Sequence, residues 1–268
     1  MRMKFALIGL SIVFFSSCTP YDKVLKGNDY ALKLAKANEY YEEKRWFKAR
    51  ELYSSILPVY KATADYEDIY YKYCYTLYEL GDYLTSSYQF KSFTESFPRS
   101  KNADDAEYMY ALSLYKDSPR YNLDPTSTYK AREALVNYVN THPGSARIPD
   151  ALKYIEECTE KLETKDFNAA MLYYNMGQYR ASKIAFHELT LVYPESKMSD
   201  YYTFMTFKSA VLYADESYLN KQEERYVDAL AYYKNLKMYY PNSIYLEDAE
   251  RYNTSANKNI KTLRDEHK

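Results

Sequence analysis

Three histidines and three cysteines are the whole supply of nucleophile and soft metal-ligand chemistry in this chain of 268 residues. His142 occupies a slot that holds an aromatic elsewhere in the chain, His187 adjoins Phe186, and His267 lies in the tail. No motif places a serine or cysteine beside any of them, as nucleophilic catalysis requires. Carboxylates are plentiful but alternate with cations, as in Glu42-Glu43-Lys44-Arg45, the pattern of a solvated helix face. The glycines Gly9, Gly27, Gly81, Gly144 and Gly177 stand too far apart to cradle a phosphate. These residues imply no enzyme, no cofactor and no metal site. Chemistry present in quantity is that of tyrosine, at 36 residues. A phenol ring offers rigid apolar surface and one hydroxyl, which suits binding more than catalysis.

The elements that position these rings follow from composition. Five glycines cannot supply the tight turns of a β protein, whereas helices need few. An apolar content of 47% argues against disorder, and 36 basic against 37 acidic residues leave no basic field for nucleic acid. An all-α protein is expected.

The first residues set the compartment. Met1-Arg2-Met3-Lys4 is cationic, residues 5–15 are apolar apart from Gly9 and Ser11, and Ser16-Ser17-Cys18 follows. This fits a secretory signal, because a membrane-spanning helix needs about 20 apolar residues. Ser16-Ser17-Cys18 resembles a bacterial lipobox, with Phe15 where leucine is more usual. On that reading residues 1–17 are removed, and Cys18 carries acyl chains such as palmitate. Residues 18–27 then form a lipid-anchored tether, since lasting attachment takes more than one acyl chain. The competing reading is an ordinary signal in which Cys18 is incidental. Cys74 and Cys158 either pair or remain buried thiols. Both lie in helical patterns and Cys74 holds a small-residue packing position, which favours buried free thiols.

A repeat of about 45 residues organises the rest. An aromatic-Pro-x-Ser phrase recurs at Phe97-Pro98-Arg99-Ser100, Tyr193-Pro194-Glu195-Ser196 and Tyr240-Pro241-Asn242-Ser243, and His142-Pro143-Gly144-Ser145 is a fourth copy. Twelve residues before each proline stand Ser86, Ala131, Ser182 and Ala229; eight before, Phe90, Leu135, Phe186 and Tyr233; five before, Phe93, Tyr138, Leu189 and Leu236. These offsets describe one face of a helix that the proline ends, and the serine can cap the next. A first copy without the proline keeps Ala49, Tyr53, Ile56 and Tyr60. Upstream helices carry small residues at Ala37, Cys74, Ala111, Ala170 and Ala210, each followed three positions later by Tyr40, Leu77, Leu114, Tyr173 or Tyr213. Segments 118–125 and 216–223 read as insertions between the helices of repeats three and five.

Helix, turn, helix, proline, repeated, is the tetratricopeptide arrangement. The fold expected is an α-solenoid of five tetratricopeptide-like helix pairs plus a C-terminal capping helix carrying Ala249, Tyr252, Ala256, Ile260 and Leu263. It is read as a single domain over residues 28–264 with a tail at 265–268.

First helices of such a fold line its concave side. One row there reads Tyr41, Tyr78, Tyr115, Tyr174 and Ala214, another Leu34, Tyr71, Tyr108, Phe167 and Phe207, with Tyr75 and Met171 between. An aromatic groove suits peptides with large apolar side chains. Rings that only pack between helices, or that stack on sugars, are the competing readings.

With lipobox and repeats placed, the chain resembles the BamD family of outer-membrane β-barrel assembly lipoproteins. The resemblance is carried most by residues 110–121 and by the stretch 161–196. The tyrosine content suggests a Bacteroidetes-type member. The resemblance implies a non-enzymatic lipoprotein on the periplasmic face of the outer membrane. Its partners would be the POTRA domains of a BamA-like barrel protein and unfolded outer-membrane protein clients. Leu34, Tyr41, Tyr71, Tyr75, Tyr78, Tyr108 and Tyr115 would then bind client peptide, and Phe167, Met171, Tyr174 and Phe207 would lie on the BamA side. A SusD-like glycan-binding lipoprotein and a periplasmic scaffold of another envelope system are the alternatives.

Overall fold

The computed structural model describes residues 20–266, so the signal segment, Cys18 and His267 lie outside the described residues. Every regular element among the described residues is a helix. These are α1 (Pro20–Lys26), α2 (Tyr30–Glu42), α3 (Trp46–Tyr60), α4 (Tyr66–Glu79), α5 (Tyr83–Ser96), α6 (Ala103–Asp117), α7 (Thr126–Thr141), α8 (Ile148–Asn175), α9 (Tyr179–Val192), α10 (Ser199–Asp215), α11 (Leu219–Tyr239) and α12 (Leu246–Glu266). The chain divides into two compact units, residues 1–116 and 117–268. In the first, α2 packs on α3, α3 on α4, and α4 on α5. In the second, neighbours pack in order from α7 to α12, and α12 also reaches α10. This is an all-α tetratricopeptide-like repeat fold.

The repeat columns are the core. Ala49, Tyr53, Ile56, Ser86, Phe90, Phe93, Ala131, Leu135, Tyr138, Ser182, Phe186, Ala229 and Leu236 are all fully buried, as are Ala37, Cys74, Ala111 and Ala170. Small residues let the paired helices approach, and the larger ones fill the space a turn away. Two of the small positions go further. Ser86 hydrogen-bonds Ser113 at 3.1 Å, and Ser182 hydrogen-bonds Ser209 at 2.9 Å, so each buried hydroxyl finds a partner at the same sequence distance. Cys74 and Cys158 are buried free thiols. Tyr173 departs from its column: it is largely exposed rather than packed between helices.

First helices end alike in three repeats. The N–H groups of Lys44 and Arg45 donate to the carbonyls of Tyr41 and Tyr40, those of Gly81 and Asp82 to Tyr78 and Leu77, and those of Gly177 and Gln178 to Tyr174 and Tyr173. This double bond pattern needs a left-handed residue just past the helix. Gly81 and Gly177 supply it at φ 77° and 71°, while Lys44 is forced into it at φ 56°. Lys44→Gly should therefore stabilise the first unit, and Gly177→Ala destabilise the second, each by about 0.5–1 kcal/mol. A Cβ at Gly177 meets nothing within 4 Å, so its cost is conformational alone. Urea midpoints check both, and shifts of equal sign would refute the argument.

The Pro-x-Ser phrase is a latch. Each serine N–H donates to the carbonyl of the residue before the proline, in Ser100, Ser145, Ser196 and Ser243 alike. Each serine Oγ also accepts the backbone N–H two residues on, which starts the next helix. Three of the hydroxyls reach back to a carboxylate on the first helix of their own pair: Ser100 to Glu67, Ser196 to Glu163 and Ser243 to Asp200. Ser145 pairs with the Tyr138 hydroxyl at 2.6 Å instead.

Three features lie beyond the sequence reading. Pro20–Lys26, within the expected tether, is helical and lays Tyr21, Val24 and Leu25 against the α2–α3 core. The expected insertion at 216–223 is mostly extra helix, extending α11 at its N-terminus to 21 residues. Helix α8 runs for 28 residues where the other first helices have 13 to 17, so its N-terminal half has no counterpart in them.

Candidate functional site

In the first unit the tyrosines of α4 stand on the core of α5. Tyr75 meets Phe90 edge-on at 5.2 Å, and Tyr71 lies 5.5 Å from Phe93 and 5.0 Å from Tyr75. Their hydroxyls converge on one oxygen: Tyr71 donates to Asp105 Oδ2 of α6 at 2.5 Å, and Tyr75 donates to the same atom. Burial, then the hydrogen bond to the Asp105 carboxylate, pushes both phenols well up. Tyr41 from α2 joins this face, edge-on to Trp46 at 5.3 Å and to Tyr53 at 6.2 Å. Burial, with the nearby charge of Glu42, pushes its phenol up to about 12. Tyr78 packs on Tyr83 at 5.4 Å. Leu34, Tyr41, Tyr71, Tyr75, Tyr78 and Tyr115 each keep part of their surface open. Tyr108 does not: at 3% exposure its ring is packing rather than a groove surface.

In the second unit Phe167 of α8 sits among Phe186, Tyr201 and Tyr202, all within about 6.5 Å. Tyr201 places its hydroxyl 3.8 Å from the Met171 sulfur. Phe207, a groove candidate by register, is fully buried against Tyr233 at 5.5 Å and takes no part in an open face. Its register position points inward because α11 and α12 both close over α10. Lys208, outside both register rows, stands here instead. The Lys208 ammonium lies 5.1 Å from the Tyr174 ring, 5.6 Å from Tyr252 and 5.9 Å from Phe204, an internal cation–π cluster. Met171 and Tyr174 remain half-open beside it.

Several carboxylates are acceptors rather than solvated surface. Glu163 accepts from Tyr202 at 2.6 Å as well as from Ser196, and Asp166 accepts from Tyr193 at 2.7 Å. The signal for two of them is a shared column: Glu67 and Glu163 each stand seven residues before the small residue of their helix. The Nδ1 of His142 shares a 2.8 Å hydrogen bond with the hydroxyl of its neighbour Thr141. His142 stacks on Tyr138 at 4.8 Å, and His187 meets Tyr232 edge-on at 5.6 Å. Among the described residues no group of three or more His, Cys, Asp or Glu is arranged to hold a metal. No helix among them is long and apolar enough to cross a membrane.

What these faces can do chemically is grip apolar side chains between rings and offer a few fixed hydroxyls and carboxylates. The family model YfiO, described as an outer membrane lipoprotein, matches residues 31–191. This chain belongs to the YfiO family. The matched stretch spans the first four helix pairs, from α2 to the end of α9, so the YfiO match includes Tyr41, Tyr71, Tyr75 and Tyr78 as well as Phe167, Met171 and Tyr174. The fifth pair and α12 lie outside it. No curated protein matches the chain. YfiO membership agrees with the BamD-type wording of 161–196.

Proposed function

We propose that this YfiO-family chain is a non-enzymatic, lipid-anchored subunit of a β-barrel assembly machinery at the periplasmic face of the outer membrane. Cys18 carries the anchor. The first-unit face around Tyr41, Tyr71, Tyr75 and Tyr78 takes the aromatic ends of unfolded outer-membrane protein clients. The second unit, through Phe167, Met171, Tyr174 and the last repeat, docks the POTRA domains of a BamA-like protein.

One observation supports this most: three half-open rings of α4, Tyr71, Tyr75 and Tyr78, recur at helical spacing on one face, with half-open Tyr41 on the preceding first helix, and the Tyr71 and Tyr75 hydroxyls are both anchored on Asp105. Rings held in place present contact area at low entropic cost. Replacing Tyr75 and Tyr78 together by alanine should weaken binding of a client C-terminal peptide by about tenfold or more, since removing aromatic anchors typically costs above 1 kcal/mol each. Unchanged affinity in a folded double variant would end the client assignment. A pull-down on the tagged chain tests the other half, with a BamA-like protein expected as the dominant partner.

A further inference from the structure

Helix α8 and the turn between α9 and α10 line a cleft of about 610 Å³. Its apolar floor includes the Phe167 and Tyr202 rings and the Met198 side chain, and its rim carries Glu156, Glu160, Glu163 and Glu195 against a single cation, Lys197. Glu156, Glu160 and Glu163 follow one another at four- and three-residue spacing, which puts them on one side of α8. None of the four carboxylates takes part in an ion pair among the described residues, whereas Glu157, on the next face of the helix, pairs with Lys153. Glu163 is held in place by Tyr202 and Ser196.

Like charges a helical turn apart repel, and a low-dielectric floor concentrates their field in the cleft. What answers both surfaces at once is a cation on a long apolar stem. Arginine fits best, since its guanidinium pairs in a planar fork with carboxylates and its stem and plane lie on aromatic rings. The volume is in the range of side-chain and small-ligand sites, roughly 300–1,000 Å³. We propose that this cleft is a docking site for an arginine-bearing segment of a partner protein. The proposal stands apart from the face assignments above, with which it shares only Phe167.

The test uses the full chain in detergent and a short arginine peptide, capped at both ends, beside a twin with glutamine for arginine. The assay contains no BamA-like protein and no client, so its outcome is separate from theirs. The arginine peptide should bind, shift the Met198 methyl resonance and lose affinity with added salt, while the twin does not bind. The triple variant Glu156→Gln, Glu160→Gln, Glu195→Gln should bind about tenfold more weakly, given a few tenths to 1 kcal/mol for each exposed pair. All three side chains are exposed and unpaired, so the variant keeps its fold, and Glu163 is left in place to hold Tyr202. Equal binding of the twin, unchanged affinity in the triple variant, or binding that leaves Met198 unmoved would each overturn the proposal.

Discussion

Stability should hold level from neutral pH to about pH 9 and then fall steeply, with the chain unfolding as the pH climbs through 10 toward 12. At least thirteen of the described tyrosines have phenols pushed above their ordinary value of 10.0, and burial is the largest cause in each of these. Tyr21, Tyr41 and Tyr226 rise to about 12. An acid whose folded pKa is raised stabilises fully below its unfolded pKa and loses that contribution as the pH rises through the folded one. The thiols act in the same direction and begin slightly earlier: burial raises Cys74, and raises Cys158 from 9.0 to about 11. Unfolding midpoints in urea from pH 7 to pH 12, followed with tyrosinate absorbance, check this. Most phenols should ionise together with loss of helix. A smooth titration centred on pH 10 with helicity intact would contradict it.

Phe186→Ala should cost about 3–5 kcal/mol, the range for truncating a fully buried aromatic. The ring is wholly inaccessible and packs within about 6.5 Å of Phe167, Tyr201 and Tyr202. Its removal leaves a void that α8, α9 and α10 cannot close without moving. Leu191, five residues on in the same helix, is 61% exposed, and Leu191→Ala should stay within about 0.5 kcal/mol. Chemical denaturation compares the two, read on the second unit. A loss below 1 kcal/mol for Phe186→Ala would mean that the column is not the core. The same variant frees Phe167 and so should also disturb the second-unit face.

Much of the fold was legible because its core is built from short-range periodicity. Residues twelve, eight and five before each proline share one face of one helix, so their burial follows from spacing alone. The serine after the proline caps a neighbouring turn, and that too is local. Cys74 was placed among the small residues by the same columns and is buried as they are. Family wording in residues 161–196 carried the functional reading, and the match over 31–191 supports its coarse form.

Other features depended on what stands opposite a helix. Tyr108 and Phe207 occupy the same register as Tyr71 and Phe167, yet the first two are buried and the others half-open. Register sets the direction of a side chain, while the neighbouring helices decide whether anything covers it. Helix α8 hid its extra length because a continuous helical pattern carries no mark where one repeat's share ends. The distance from Pro143 to Ala170, 27 residues against 13 from Pro98 to Ala111, was the available sign.

By itself, then, the sequence determined an all-α repeat, the residues of its core and the richness in tyrosine. Tertiary structure alone decided which tyrosines stay open, which share the Asp105 carboxylate, and where carboxylates line a cleft. The reason is distance along the chain. Tyr71 meets an acceptor 34 residues away, and Tyr202 one 39 residues away. No helical period reaches that far, so such pairs exist only once the helices have packed.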